Sequence, residues 1–171
     1  MATFEELLDL LGEPRFHWSD PTAWIELEES TGARFPDDFR RFCDAYGPIL
    51  INNQVNIGHP GVEFANLGVK VRKAIAAWSE IAEEEFPSRV GTAPGELLPW
   101  GGAASGESMF FRVPHPGSDD WAVGVYESDE GTYHEFAMTF TDWMVSYLRG
   151  EDVIVRSANF APEGPFYKQL L

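Results

Sequence analysis

The stretch Gly101 to Ser108, G-G-A-A-S-G-E-S, comes within one residue of the phosphate-cradling loop G-x-x-x-x-G-K-[ST]. The lysine that should meet the phosphates is replaced by Glu107, an anion that repels them. A β-type run follows where a helix should offer its N-terminal amides. Both requirements fail, so nucleotide binding is not expected, and the glycines serve a bend between strands. Ser105 or Ser108 with His115 or His134 would be the pieces of a nucleophilic pair. The G-x-S-x-G elbow is absent, His115 lies between two prolines, and nothing fixes a base beside either serine. His134 sits in a strand beside Glu135, and adjacent strand residues face opposite ways. His17 and His59 fall in loops. Four scattered histidines and one cysteine give no zinc spacing. Asp119-Asp120 and Asp129-x-Gly131 lack the spacing of a calcium loop. The expectation is a protein without catalytic residues, metal or cofactor.

Composition narrows the class further. The chain has 171 residues, 44% hydrophobic and 14% aromatic, which predicts one globular domain. A domain of this size buries about 70% of the surface of its unfolded chain. Cys43 permits no internal disulfide, and its place on an apolar helix face predicts a buried thiol. The first residues, MATFEELLDLL, carry acids and no basic segment, unlike a secretory signal. No apolar run approaches the roughly 20 residues of a membrane span. These features predict a cytoplasmic protein. Twelve Lys and Arg against 28 Asp and Glu give a formal charge of −16. Such a chain repels nucleic acid and anionic membranes and attracts basic proteins.

The elements that would position these residues follow from local signals. Thr3 is placed to cap a helix carrying Phe4, Leu7, Leu8 and Leu11, which Gly12 and Pro14 end. Trp24, Leu27 and Thr31 share one side of a second helix, which Gly32 stops. Pro36 is placed as the first residue of a third, with Asp37 and Asp38 in its first turn and Phe39, Phe42, Cys43 and Tyr46 as its apolar stripe. Ile49–Ile51 and Gln54–Ile57 read as short strands about Asn52-Asn53. Val71, Ile75, Trp78 and Ala82 recur at helical spacing, with Glu83, Glu84 and Glu85 closing that segment. From Leu97 the pattern becomes stranded: Met109–Val113, Trp121–Glu127 and Thr132–Met138, with Ser128 to Gly131 as a hairpin turn. Thr139 caps a last helix through Phe140, Trp143, Met144, Tyr147 and Leu148. Val153-Ile154-Val155 is expected to add an edge strand, and the tail from Asn159 to pack across the domain. The predicted fold is α+β, an antiparallel meander packed against N-terminal helices and a C-terminal helix.

The pattern Trp24-x-x-x-Glu28, Gly32-x-x-Phe35-Pro36-Asp37-Asp38-Phe39 and Phe42-x-x-x-Tyr46-Gly47 resembles the N-terminal signature of the SUKH superfamily, the Smi/Knr-like fold. That signature prefers Leu where this chain has Phe35. The strand Gly106-x-Ser-x-Phe110-Phe111 and the helix from Phe140 to Gly150 sit where that superfamily has them, so the resemblance runs from Trp24 to Gly150. Its motif is made of core and turn residues and speaks to fold. The resemblance implies, for bacterial members, an immunity protein that binds and blocks a cognate toxin, often a nuclease or deaminase. From the yeast members it implies a regulatory or scaffold module.

A surface candidate remains. Between Glu107 and Glu135 there are seven acids, Glu107, Asp119, Asp120, Glu127, Asp129, Glu130 and Glu135, against one base, Arg112. Aromatic residues are interleaved, among them Trp121, Tyr126 and Tyr133. An acidic patch anchored by aromatics suits a basic protein partner, since anchors supply binding energy and charges steer the encounter. The expected partner-binding set is therefore Glu107, Asp119, Asp120, Trp121, Tyr126, Glu127, Asp129, Glu130, Tyr133 and Glu135.

Overall fold

Thr3 opens the first helix with a complete capping box: its hydroxyl accepts from the Glu6 amide, and the Glu6 carboxylate accepts from the Thr3 amide at 2.8 Å. In this computed structural model, which describes residues 1–81, 86–154 and 156–171, α1 runs Phe4–Leu11. Next come α2 (Thr22–Thr31) and α3 (Asp37–Tyr46), joined by the turn from Gly32 to Pro36. Gly32 takes the left-handed conformation at φ 73° and returns its amide to Glu28. Pro36 sits one residue outside α3, at its N-cap position, and not inside the first turn as expected. Trp24 and Leu27 of α2 and Phe39, Phe42, Cys43 and Tyr46 of α3 are all buried.

A hairpin follows. Strands β1 (Ile49–Ile51) and β2 (Val55–Ile57) pair antiparallel across Asn52 and Asn53, both at positive φ, the backbone that a tight hairpin needs and asparagine tolerates. Helix α4 covers Leu67–Trp78, capped by Asn66. The expected continuation through Ala82 to Glu85 lies outside the described residues. Strands β3 (Leu97–Ala103), β4 (Glu107–Arg112), β5 (Ala122–Glu127) and β6 (Thr132–Phe136) form the meander, and α5 (Phe140–Leu148) starts at its Thr139 cap.

The expectation for Val153-Ile154-Val155 needs correction. Val153 and Ile154 lie in a turn with their side chains buried, and Val155 lies outside the described residues. The edge strand is instead β7 (Tyr167–Gln169), antiparallel to β1 with Leu50 opposite Lys168. The Gln169 side-chain amide extends this join by donating to the Tyr46 and Pro48 carbonyls. The sheet order is β6-β5-β4-β3-β2-β1-β7. Every pairing in it is antiparallel, with a register shift between Pro99 and Gly101.

Alternation along the meander sends residues to two different cores. Met109, Phe111, Val123 and Val125 join the main core under α3 and α5. Phe39 is its hub, with ring contacts to Trp24, Phe35, Trp100, Phe111 and Phe140. On the other face Leu97, Phe110 and Tyr126 form a smaller cluster, closed by Trp78 at the end of α4 together with Phe86 and Tyr133. Both faces of the sheet are thus covered where β4 and β5 cross it, which is why all six residues of β5 are buried. No described helix is long and apolar enough to cross a membrane.

Candidate functional site

The signature turn between α2 and α3 is built to hold two helix starts together. Ala33 and Phe35 point inward at 2% exposure each, which leaves Arg34 outside. Asp38 accepts at one oxygen from the Phe39 amide and at the other from both the amide and hydroxyl of Thr141, in the first turn of α5. One carboxylate thereby satisfies amides from two helix N-termini, where the dipoles favour negative charge. Across from this turn lies the β4–β5 loop, with Pro114, His115, Asp119 and Trp121. Together they wall a half-open groove of about 770 Å³, with Arg34 and Asp37 on the facing side.

The structure divides the predicted patch into three parts. Asp119, Asp120 and Trp121 stand at one end of β4 and β5; the two acids are exposed, and Trp121 is half-buried with its ring edge on Phe111. Glu107, Glu127, Asp129 and Glu130 lie at the opposite end, six strand residues away. At about 3.3 Å per residue that separation is on the order of 20 Å. The third part, Tyr126, Tyr133 and Glu135, lies on the second face. Tyr126 is 6% exposed, with its ring 5.1 Å from Trp78 and 4.8 Å from Phe86, so it is a packing residue. Tyr133 donates to Glu135 at 2.9 Å, and burial with the neighbouring carboxylate pushes its hydroxyl pKa up. Arg112 grips Glu135 with a two-pronged bond at 2.7 and 2.8 Å, which holds that carboxyl below the usual range. Glu135 is therefore already neutralised within the chain.

The candidates for chemistry are dispersed as well. Ser105 accepts from the Gln54 side chain at 2.9 Å and donates to Glu107, and Gln54 in turn accepts from Tyr147 at 2.8 Å. This chain of bonds contains no imidazole. His115 lies beside Gly95 on the groove, and His134 is exposed on β6. Cys43 is fully buried, and the loss of water pushes its thiol pKa well up, which opposes the reactive thiolate. Among the described residues no group of three or more His, Cys, Asp and Glu side chains is arranged to hold a metal ion.

Sequence reasoning missed His59, which it placed in a loop. The ring is fully buried between Phe16, Trp18 and Trp24. Its Nδ1 accepts from the Gly61 amide, so the proton sits on Nε2, which donates to Asp44 at 2.9 Å. The Trp24 indole donates to the same Asp44 oxygen at 2.8 Å. Burial holds the His59 pKa below its ordinary value of 6.5, against the pull of Asp44. The signal was present in Gly58-His59-Pro60-Gly61, where only small and rigid neighbours let the ring turn inward. A Cβ on Gly61 would strike Trp18.

No curated protein and no solved structure matches the chain. The family model described as SMI1-KNR4 cell-wall, a SUKH model, matches residues 21–144, which hold the signature turn, the whole meander and the first half of α5. The chain belongs to the SMI1-KNR4 family of the SUKH superfamily, a protein-interaction fold.

Proposed function

We propose that this protein is a cytoplasmic immunity protein, which binds a basic, nucleic-acid-acting toxin domain and blocks it by occlusion. One observation carries the reading. At both ends of the β4–β5 pair the exposed carboxylates, Asp119 and Asp120 at one and Asp129 and Glu130 at the other, have no basic partner among the described residues. In a chain of net charge −16 these groups stand free to meet cations from outside. A toxin that grips phosphate is basic at its active cleft, and an acidic blocker presents carboxylates where phosphates would sit. The half-buried Trp121, beside Asp119 on the groove, supplies an anchor of the type that dominates interface energy.

A second reading follows from the cell-wall description of the family: a regulatory or scaffold module that uses the same surface. One experiment separates the two. The tagged protein is offered its cell's lysate and, separately, the product of the neighbouring gene, with washes at low and high salt. Tight capture of a basic toxin domain, loosened by salt, supports the immunity reading. Capture of signalling or wall-synthesis proteins in its place supports the scaffold and sinks the antidote.

A further inference from the structure

Glu107 and Glu127 are direct partners in the β4–β5 register, on the face that carries Met109 and Val125. Each is only 9% exposed, although both carry carboxylates. Like charges placed opposite one another across a pair of strands destabilise a sheet. A buried carboxylate normally has a cation or several donors against it. Glu107 has one donor, the Ser105 hydroxyl. Glu127 has none: among the described residues its side chain takes part in no hydrogen bond, and no ion pair includes either glutamate. On the next strand Thr132 is registered opposite Glu127, and its hydroxyl oxygen is buried without a partner. An unpaired carboxylate whose oxygens reach the surface and, beneath it, a buried hydroxyl without a partner thus share one row at one end of the sheet.

We infer that this row is a receptor for one arginine guanidinium carried by a protein partner, seated between Glu107 and Glu127, the two carboxylates that face each other across β4 and β5. Side chains directly opposite across strands stand about 4.5–5.5 Å apart at Cβ. A planar guanidinium with five donors spans such a pair, and it sheds its water more readily than an ammonium does. A calcium ion, by contrast, takes six to eight oxygens, and among the described residues no third carboxylate or imidazole completes a metal set here. Asp129 and Glu130, exposed at the adjoining hairpin tip, steer the cation toward the row. The inference rests on the proposal of a basic partner and supplies the contact by which that partner would be held.

The test uses the full chain, labelled at its glutamate side chains, and titrates methylguanidinium chloride at low millimolar concentration. Methylammonium, sodium and calcium chlorides at equal ionic strength serve as comparisons. The expected result is a saturable shift of the Glu107 and Glu127 carboxyl resonances and the Thr132 amide, strongest with methylguanidinium. Glu127→Gln abolishes the saturation and raises the Tm of the free protein, because it removes a repulsion that no cation among the described residues offsets. A carboxylate serving only the fold would give a lower Tm. Linear shifts of equal size at every carboxylate, preferential saturation by calcium, or a lower Tm in Glu127→Gln each overturns the inference. A saturable site with no toxin captured would sink the toxin reading and leave the receptor standing. Capture of a toxin without the saturable site would do the reverse.

Discussion

Asp38 and Thr141 are joined twice, amide and hydroxyl to a single carboxylate oxygen, at 2.9 and 3.1 Å across 103 positions of chain. This contact ties the first turn of α3 to the first turn of α5 and closes one end of the main core. Asp38→Ala leaves amides at two helix starts without their acceptor. The expected cost is about 1–3 kcal/mol, the range for buried donors left without a partner. Urea unfolding of the variant checks it, and an unchanged midpoint would show that water replaces the carboxylate.

His59 predicts a pH dependence whose sign is fixed by its surroundings. Its pKa is lowered in the folded protein from an ordinary value of 6.5, so the unfolded chain binds the proton more readily. The contribution to stability is complete above about pH 6.5 and is lost as the pH falls below it. Protonation would also deprive the Gly61 amide of its acceptor. Unfolding free energies measured through this range should fall with acid, and His59→Gln should flatten the slope there. An equal slope in both proteins would assign the loss to other groups.

Phe39 is fully buried and makes five ring contacts within 6.4 Å. Phe39→Ala should cost about 3–5 kcal/mol, the range for an aromatic truncated in a packed core. Phe39→Leu should recover much of that loss. Chemical denaturation of both variants is the check, and a small cost for alanine would mean that the neighbouring rings collapse into the space.

The groove end and the hairpin end of the meander can be told apart by charge reversal. Asp119→Lys with Asp120→Lys alters one, and Asp129→Lys with Glu130→Lys alters the other. Each pair is exposed, so stability should stay within about 0.5 kcal/mol per substitution. Association with a basic partner should slow most for the end it meets, with a weaker dependence on salt. Equal effects from both pairs would point to the overall charge and not to a docking end.

Gly47 is restricted twice over. It has φ 64° at the end of α3, and a Cβ there would run into the ring of Phe16. Gly47→Ala should cost about 1–3 kcal/mol through backbone strain, with a further loss from displacing Phe16 and its stack on Trp18. Tryptophan fluorescence would report the displaced ring, and an unaltered spectrum would argue against that coupling.

The parts of this fold that were legible in the sequence are those fixed by neighbours along the chain. The Thr3, Gly32 and Thr139 caps, the apolar stripe of α3 and the turn at Gly131 are all decided within a few residues. What was not legible depends on pairing at a distance. The edge of β1 is filled by Tyr167–Gln169, which no local pattern distinguishes from the apolar run at Val153. The acids between Glu107 and Glu135 looked like one patch because sequence gives alternation but not the length of the strands that separate them. Tyr126 and Tyr133 face a cluster closed by Trp78 and Phe86, and the sequence showed no reason for those rings to cover that side. His59 is buried because Phe16 and Trp18 fold over it from a loop more than 40 residues earlier, held by the Trp18 amide on the Asp44 carbonyl and the Phe16 amide on Ala45.

The place of β7 in the sheet bears on how the protein is made. Strands β1 to β6 all leave the ribosome before it, yet β7 is the one that covers the outer side of β1. During synthesis the nascent sheet therefore carries an open rim of unpaired backbone groups from Pro48 through Leu50 to Asn52, a template for another chain's strand. Crowded polysomes or slow translation of the segment between β6 and β7 would lengthen that exposure. The hazard is greatest in the interval between the emergence of β1 and the arrival of β7 beside it.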